Sequence, residues 1–112
     1  MRTIVRIEDS KGIGICRSKL ADNLIDEIVY KVMRDFRSPL NDPGINRYPK
    51  TNEYCAFRSL RQLKSLYSKE DLQYLQSAGF KIYLISIEKY TLGKRQVLFR
   101  KVDIIKKELI TL

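Results

Sequence analysis

Gly79-Phe80-Lys81-Ile82-Tyr83-Leu84-Ile85-Ser86-Ile87-Glu88, then Lys89-Tyr90-Thr91-Leu92-Gly93-Lys94-Arg95, then Gln96-Val97-Leu98-Phe99-Arg100-Lys101 reads as two apolar β-strands joined by a short polar loop. In the first strand Ile82, Leu84 and Ser86 share one face, and Tyr83, Ile85 and Ile87 share the other. A strand apolar on nearly both faces belongs in the middle of a sheet, covered from both sides. The second strand sets Val97 and Phe99 opposite Gln96, Leu98 and Arg100. Lys94, Arg95, Arg100 and Lys101 surround the pair.

Upstream of these strands, two short helices are written in cap chemistry. Ser59 is an N-cap for Leu60 to Tyr67, with Leu60, Leu63 and Tyr67 on one face. Ser68-Lys69-Glu70-Asp71 is a capping-box start with Asp in the usual Glu position. Leu72 and Leu75 then face inward, and Gly79 stands just past the helix end, where a left-handed residue is wanted. Downstream, Val102 to Leu112 fits either a strand or a short helix. The spacing of Ile105, Leu109 and Leu112 favours the helix.

Residues 37–56 hold all three prolines, Pro39, Pro43 and Pro49, and read as a long irregular segment. Asn41-Asp42-Pro43-Gly44 is a turn whose proline presets the corner. Long loops in small domains often carry function. This one carries Arg47, Tyr48, Lys50 and Tyr54, a basic and aromatic mixture suited to stacking and to phosphate. Its alternative is a surface loop packed by its tyrosines.

Nearer the amino end, Leu20, Leu24, Ile28, Val32 and Phe36 recur at helical spacing, so residues 19–36 are expected to form one long helix covering a sheet face. Arg2 to Ile7 reads as a first strand, equally suited to an edge. Between them, Gly12-Ile13-Gly14 lies near Lys11 and Arg17. It is a plain turn or a weak anion-binding loop, since it lacks the third glycine of a dinucleotide fold and the Gly-Lys-Ser/Thr ending of a P-loop. The order of elements gives an α+β domain spanning 1–112, with a small mixed or antiparallel sheet against one long and two short helices.

Composition narrows the chemistry. The chain has 112 residues, 44% hydrophobic, with a net charge of +9 and no histidine. Without histidine the usual general base and the commonest metal ligand are missing, and a Ser-His or Cys-His nucleophile pair is impossible. Cys16 and Cys55 are isolated, form no Cys-x-x-Cys pair, and read as reduced packing residues. No catalytic constellation, metal site or cofactor is expected. No apolar run reaches the ~20 residues of a membrane span, and residues 1–9 lack a signal-peptide core, so a cytoplasm is the expected location. The basic charge points towards nucleic acid, nucleotides or acidic proteins. It lies mainly in the middle and carboxy-terminal parts of the chain, +3 over residues 39–68 and +4 over 69–112.

Several of these motifs form a pattern. Lys11-Gly12-Ile13-Gly14 with Arg17-Ser18, Asn41-Asp42-Pro43-Gly44-Ile45, Tyr54-Cys55-Ala56-Phe57-Arg58-Ser59-Leu60, Ala78-Gly79-Phe80-Lys81-Ile82-Tyr83 and Gly93-Lys94-Arg95-Gln96-Val97-Leu98-Phe99 run in matching order along most of the chain. Together they resemble a family of small accessory proteins of tailed bacteriophages and prophages. The resemblance implies a phage context and a part in managing the host, including interference with its defences. A weaker resemblance is to the ADP-ribosyltransferase-like fold, through Arg6 on the first strand, Ser59 after Phe57-Arg58, and Gln96 at a late strand. In that family a glutamate orients the ribose; Gln96 cannot supply its charge, so the likeness implies a nucleotide-binding or inactive derivative.

The functional expectation is a non-enzymatic inhibitor of a host or defence protein or nucleoprotein, such as a CRISPR-type complex. The alternative is a nucleic-acid- or nucleotide-binding module. The candidate contact residues are Arg47, Tyr48, Lys50, Tyr54, Lys94, Arg95, Arg100 and Lys101, with Lys11, Arg17, Arg58 and Gln96 as secondary candidates. No membrane partner is expected, and the sequence leaves the oligomeric state open.

Overall fold

β3 (Lys81–Ile87) is the middle strand of a three-stranded antiparallel sheet, between β1 (Arg2–Glu8) and β6 (Ile104–Ile110). The computed structural model describes residues 1–15, 27–30, 34 and 39–112. As its pattern requires, β3 is covered on both faces: Ile82, Ile85 and Ile87 are fully buried. A second antiparallel sheet has the order β2 (Glu53–Ala56), β5 (Val97–Arg100), β4 (Tyr90–Leu92). The fold is therefore α+β, as expected, with two small sheets in place of one.

The two sheets meet at one point. Phe57, just beyond β2, exchanges both backbone hydrogen bonds with Val5 of β1, at 3.1 and 2.8 Å. From that seam the second sheet folds over the first. Ile4, Ile85 and Ile87 of the first sheet pack against Ala56, Val97 and Phe99 of the second. The alternate residues Val5, Ile7 and Ile82 point the other way, into a core closed by α1 (Leu60–Leu66) and α2 (Lys69–Ser77) through Leu63, Leu72 and Leu75. The period-two alternation of β1 and β3 thus feeds two cores at once.

The helices begin and end where their caps dictate. Ser59 Oγ accepts from the N–H of Gln62 at 3.1 Å. Ser68 and Asp71 form a reciprocal capping box, the hydroxyl accepting from Asp71 N and the carboxylate from Ser68 N. Past α2, Gly79 adopts φ 106°, and Phe80 N–H reaches back to Leu75 O at 3.0 Å. Of the long helix expected over 19–36, residues 27–30 and 34 are helical, with Ile28 buried in the helix-side core; the remainder lies outside the described residues.

Three expectations change. The strands 81–88 and 96–101 do not pair: they lie in different sheets, because Tyr90-Thr91-Leu92 forms its own strand and takes the edge of β5. The tail is strand β6 after a short 3-10 turn at Lys101–Asp103, rather than a helix. A central β3 needs a neighbour on each edge, and pairing Ile82 to Ile87 with Ile110 to Ile104 overrides the local helical spacing. Finally, the irregular segment is shorter than it reads, since Glu53–Ala56 is strand β2 and carries Tyr54 into the second sheet.

Candidate functional site

The loop before β2 is built on Asp42. After the 3-10 turn Pro39–Asn41, the Asp42 carbonyl accepts from the N–H groups of Ile45 and Asn46, both at 2.9 Å. Its carboxylate is buried and accepts from Gly44 N (3.0 Å), Lys94 N (2.6 Å) and Arg95 N (3.0 Å). Burial pushes the Asp42 carboxyl up, but the N–H groups of Arg95, Lys94, Gly44 and Gln96 outweigh it and hold the group below its ordinary value. One side chain therefore ties the Pro43-Gly44 turn to the β4–β5 turn. The approach is close: a Cβ on Gly44 would stand 2.7 Å from Leu92 O.

The same β4–β5 turn is held from its other side. Arg58 Nη1 donates to Lys94 O at 2.8 Å, and Gln62 Nε2 donates to Arg95 O at 2.5 Å. Gln96, at the entry to β5, is buried. Lys94 thus stands exposed on a turn whose backbone is fixed from two directions.

Arg47 is committed to structure. Its guanidinium donates to both oxygens of Glu53, at 2.6 and 2.9 Å, and lies 3.4 Å from Thr91 Oγ1. Glu53 also accepts from Lys50 N at 2.8 Å. Arg47 first, then the Lys50 N–H, bring the Glu53 carboxyl down to about 2 against the pull of burial. The folded value lies below the unfolded value of about 4.3. The stabilisation is therefore complete above that value and is lost as the pH falls through about 2. A carboxyl-detected NMR titration is expected to place the Glu53 midpoint near 2, and Arg47→Ala to raise it. A wild-type midpoint near 4.3 would contradict the pairing. Tyr48 (70% exposed) and Lys50 project beyond this anchor.

The other candidates lie elsewhere. β5 runs from Val97 to Arg100, so Arg100 stands at the end of the strand remote from the Lys94–Arg95 turn, roughly 10 Å along it. Arg100 pairs with Asp103 at 2.9 Å, and Lys101 Nζ sits 4.6 Å from the centre of the Tyr54 ring. Lys94 and Arg95 precede β5, whereas Tyr54, Arg100 and Lys101 lie towards its far end, where Glu53, opposite Arg100, also holds Arg47 and the Lys50 N–H. Lys11 is exposed, and Arg17 lies outside the described residues. Asp9 Oδ1 takes the N–H groups of Lys11 and Ile13 at 2.9 and 3.0 Å, so a carboxylate of the chain itself fills the place an anion would take in that turn.

The Lys101 group borders a cluster that most of the sequence signals miss. Arg6 is buried between the sheets. It donates from Nε to Cys55 O (3.1 Å) and from Nη1 to Glu8 (2.5 Å) and Gly12 O (3.3 Å). Its guanidinium carbon is 5.3 Å from the Tyr54 ring centre and 5.9 Å from that of Phe99. Glu8 is buried too, and receives Lys107 Nζ at 2.6 Å, which crosses the Tyr83 ring at 4.3 Å. Gly14 backs onto Arg6, leaving 2.9 Å between a hypothetical Cβ and Nη2. The signal for this cluster was the alternation of β1: Arg6 and Glu8, opposite in charge and two apart, share the face that Ile4 turns to the second sheet.

The site offers exposed basic side chains before and after β5, with the Tyr54 ring beside Lys101 at its far end. Among the described residues no group of three or more Asp, Glu, Cys or His is arranged to hold a metal. No helix is long and apolar enough to cross a membrane. No curated relative and no solved structure matches the chain. The family model described as Bacteriophage T4 Y00F protein matches residues 1–112. The match covers every motif that the phage resemblance was read from, and does not extend to the ADP-ribosyltransferase-like fold. The chain belongs to the Bacteriophage T4 Y00F protein family, a family of phage accessory proteins.

Proposed function

We propose that this phage accessory protein is a non-enzymatic inhibitor that binds a host or defence protein or nucleoprotein, of which a CRISPR-type complex is an example. One observation carries the proposal. The Asp42 carboxylate joins two loops 52 residues apart in sequence, so that Tyr48, Lys50 and Lys94 project from backbone already held in place. Side chains presented on fixed backbone lose less freedom on binding, and exposed tyrosine is a common interface anchor. The experiment is retrieval of partners from a lysate of the bacterial host with the tagged chain, before and after nuclease, at low and high salt. A discrete host protein that survives both treatments is the expected result. An empty retrieval would contradict it.

A second reading, a nucleic-acid- or nucleotide-binding module, is favoured by the basic and aromatic side chains beside the inter-sheet core, Arg6 and Lys101 at the Tyr54 ring and Lys107 at the Tyr83 ring. Retrieval of nucleic acid alone, lost at high salt, supports it, because phosphate contacts weaken steeply with added salt. A degenerate ADP-ribosyltransferase-like protein is one form of this reading, with Arg6 on β1, Ser59 at the head of α1 and Gln96 at the entry to β5. In that form Gln96→Glu raises turnover of a nucleotide such as NAD; outside it the substitution does nothing catalytic.

A further inference from the structure

Among the described residues β6 has one neighbour, β3, and its other edge is open in the order β1-β3-β6. Its sequence, Ile104-Ile105-Lys106-Lys107-Glu108-Leu109-Ile110, is complementary to itself when read in the opposite direction about Lys107. Antiparallel pairing with a second β6 in that register sets Lys106 against Glu108 and Ile105 against Leu109, while Ile104, beyond the β-bulge that skips Ile105, faces the second sheet and Ile110 the helix-side core. The two pairings are opposite-charge and apolar cross-strand pairs, the kinds that stabilise a sheet. A two-fold axis normal to the sheet allows only registers shifted by two residues in sum, because opposed side chains must share a face. Centring on Lys106 sets Ile105 against Lys107, and centring on Glu108 sets Lys106 against Ile110 and Glu108 against itself.

The structure leaves these groups available. The Lys106 and Glu108 side chains are 69% and 56% exposed, with their own ion pair stretched to 4.0 Å. Ile105 and Leu109 are 56% and 53% exposed. The one like-charge meeting, Lys107 with its copy, is already relieved. Each Lys107 reaches back over Tyr83 to Glu8 on β1, away from the open edge. We propose that β6 pairs antiparallel with β6 of a second copy of this chain, joining the two first sheets into one six-stranded sheet. Such a contact is isologous and closes on itself, so it stops at a dimer.

Sedimentation equilibrium of the full chain over a range from low to several hundred micromolar tests this. The wild type is expected to move towards twice its 13.2 kDa mass as concentration rises. Lys106→Glu and Glu108→Lys each place like charges opposite one another twice per dimer, and are each expected to raise the dimer dissociation constant about tenfold. The double exchange Lys106→Glu with Glu108→Lys restores both pairs and is expected to restore association. In the wild type, exchange of the β6 amides with solvent is expected to slow as concentration rises. The proposal is overturned by a monomeric mass throughout the range, by single variants that associate like the wild type, by a folded double exchange that fails to associate, or by β6 amide exchange independent of concentration.

Discussion

Glu8→Ala is expected to lower the free energy of unfolding by about 3–5 kcal/mol, the usual cost of removing one partner from a buried ion pair. Glu8 is 2% exposed and is the acceptor for both Arg6 and Lys107. Its loss leaves the Arg6 guanidinium between the sheets with Cys55 O and Gly12 O as its remaining acceptors. The exposed Lys107 can swing into water; Arg6 cannot. Domains of this size have net stabilities of about 5–15 kcal/mol, so the variant is expected to be close to unfolding at moderate temperature. The double change Arg6→Met with Glu8→Leu removes both buried charges and fills their volume, and is expected to recover much of the loss. Urea denaturation at neutral pH provides the comparison. A shift below about 1 kcal/mol for Glu8→Ala would show that the pair contributes little.

Asp42→Ala is expected to cost about 2–4 kcal/mol, because it removes the acceptor for backbone N–H groups of both loops at once. Those groups include Gly44 N on one loop and Lys94 N and Arg95 N on the other. Asp42→Asn keeps one carbonyl acceptor and is expected to lose less. The pH dependence has a definite sign. The folded carboxyl titrates below its ordinary value, so its contribution is present above the unfolded value of about 3.9 and fades as the pH falls through the folded one. Gly44→Ala attacks the same junction from the other side by pressing a methyl group on Leu92 O. A denaturation midpoint for Asp42→Ala within error of the wild type would mean that the loops are held by something else.

Much of the fold was legible where local chemistry and tertiary packing agree. Ser59, Ser68 and Gly79 mark helix ends through groups that act within one turn, and the structure uses each as read. The central place of β3 followed from apolar residues on both faces. What escaped depended on distant partners. Tyr90 to Leu92 is too short to announce itself, and becomes a strand only because β5 offers an edge. The tail has two competing periodicities, and β3 decides between them. The candidate loop was legible as basic and aromatic, but not that Arg47 is used by Glu53 while Tyr48 and Lys50 remain exposed. The Arg6–Glu8–Lys107 cluster joins residues 99 apart in sequence, and no local pattern records that.

Under the proposed function, Tyr48, Lys50 and Lys94 contact the partner from the Asp42-fixed loops. Capture of a host protein by the wild type is to be compared with capture by Tyr48→Ala/Lys50→Glu and by Lys94→Glu. These changes keep the Arg47 and Glu53 side chains and the backbone bonds to Asp42. With circular dichroism unchanged, both variants are expected to lose at least tenfold in captured protein, as the removal of interface hot spots does. Full capture by both folded variants would contradict the account.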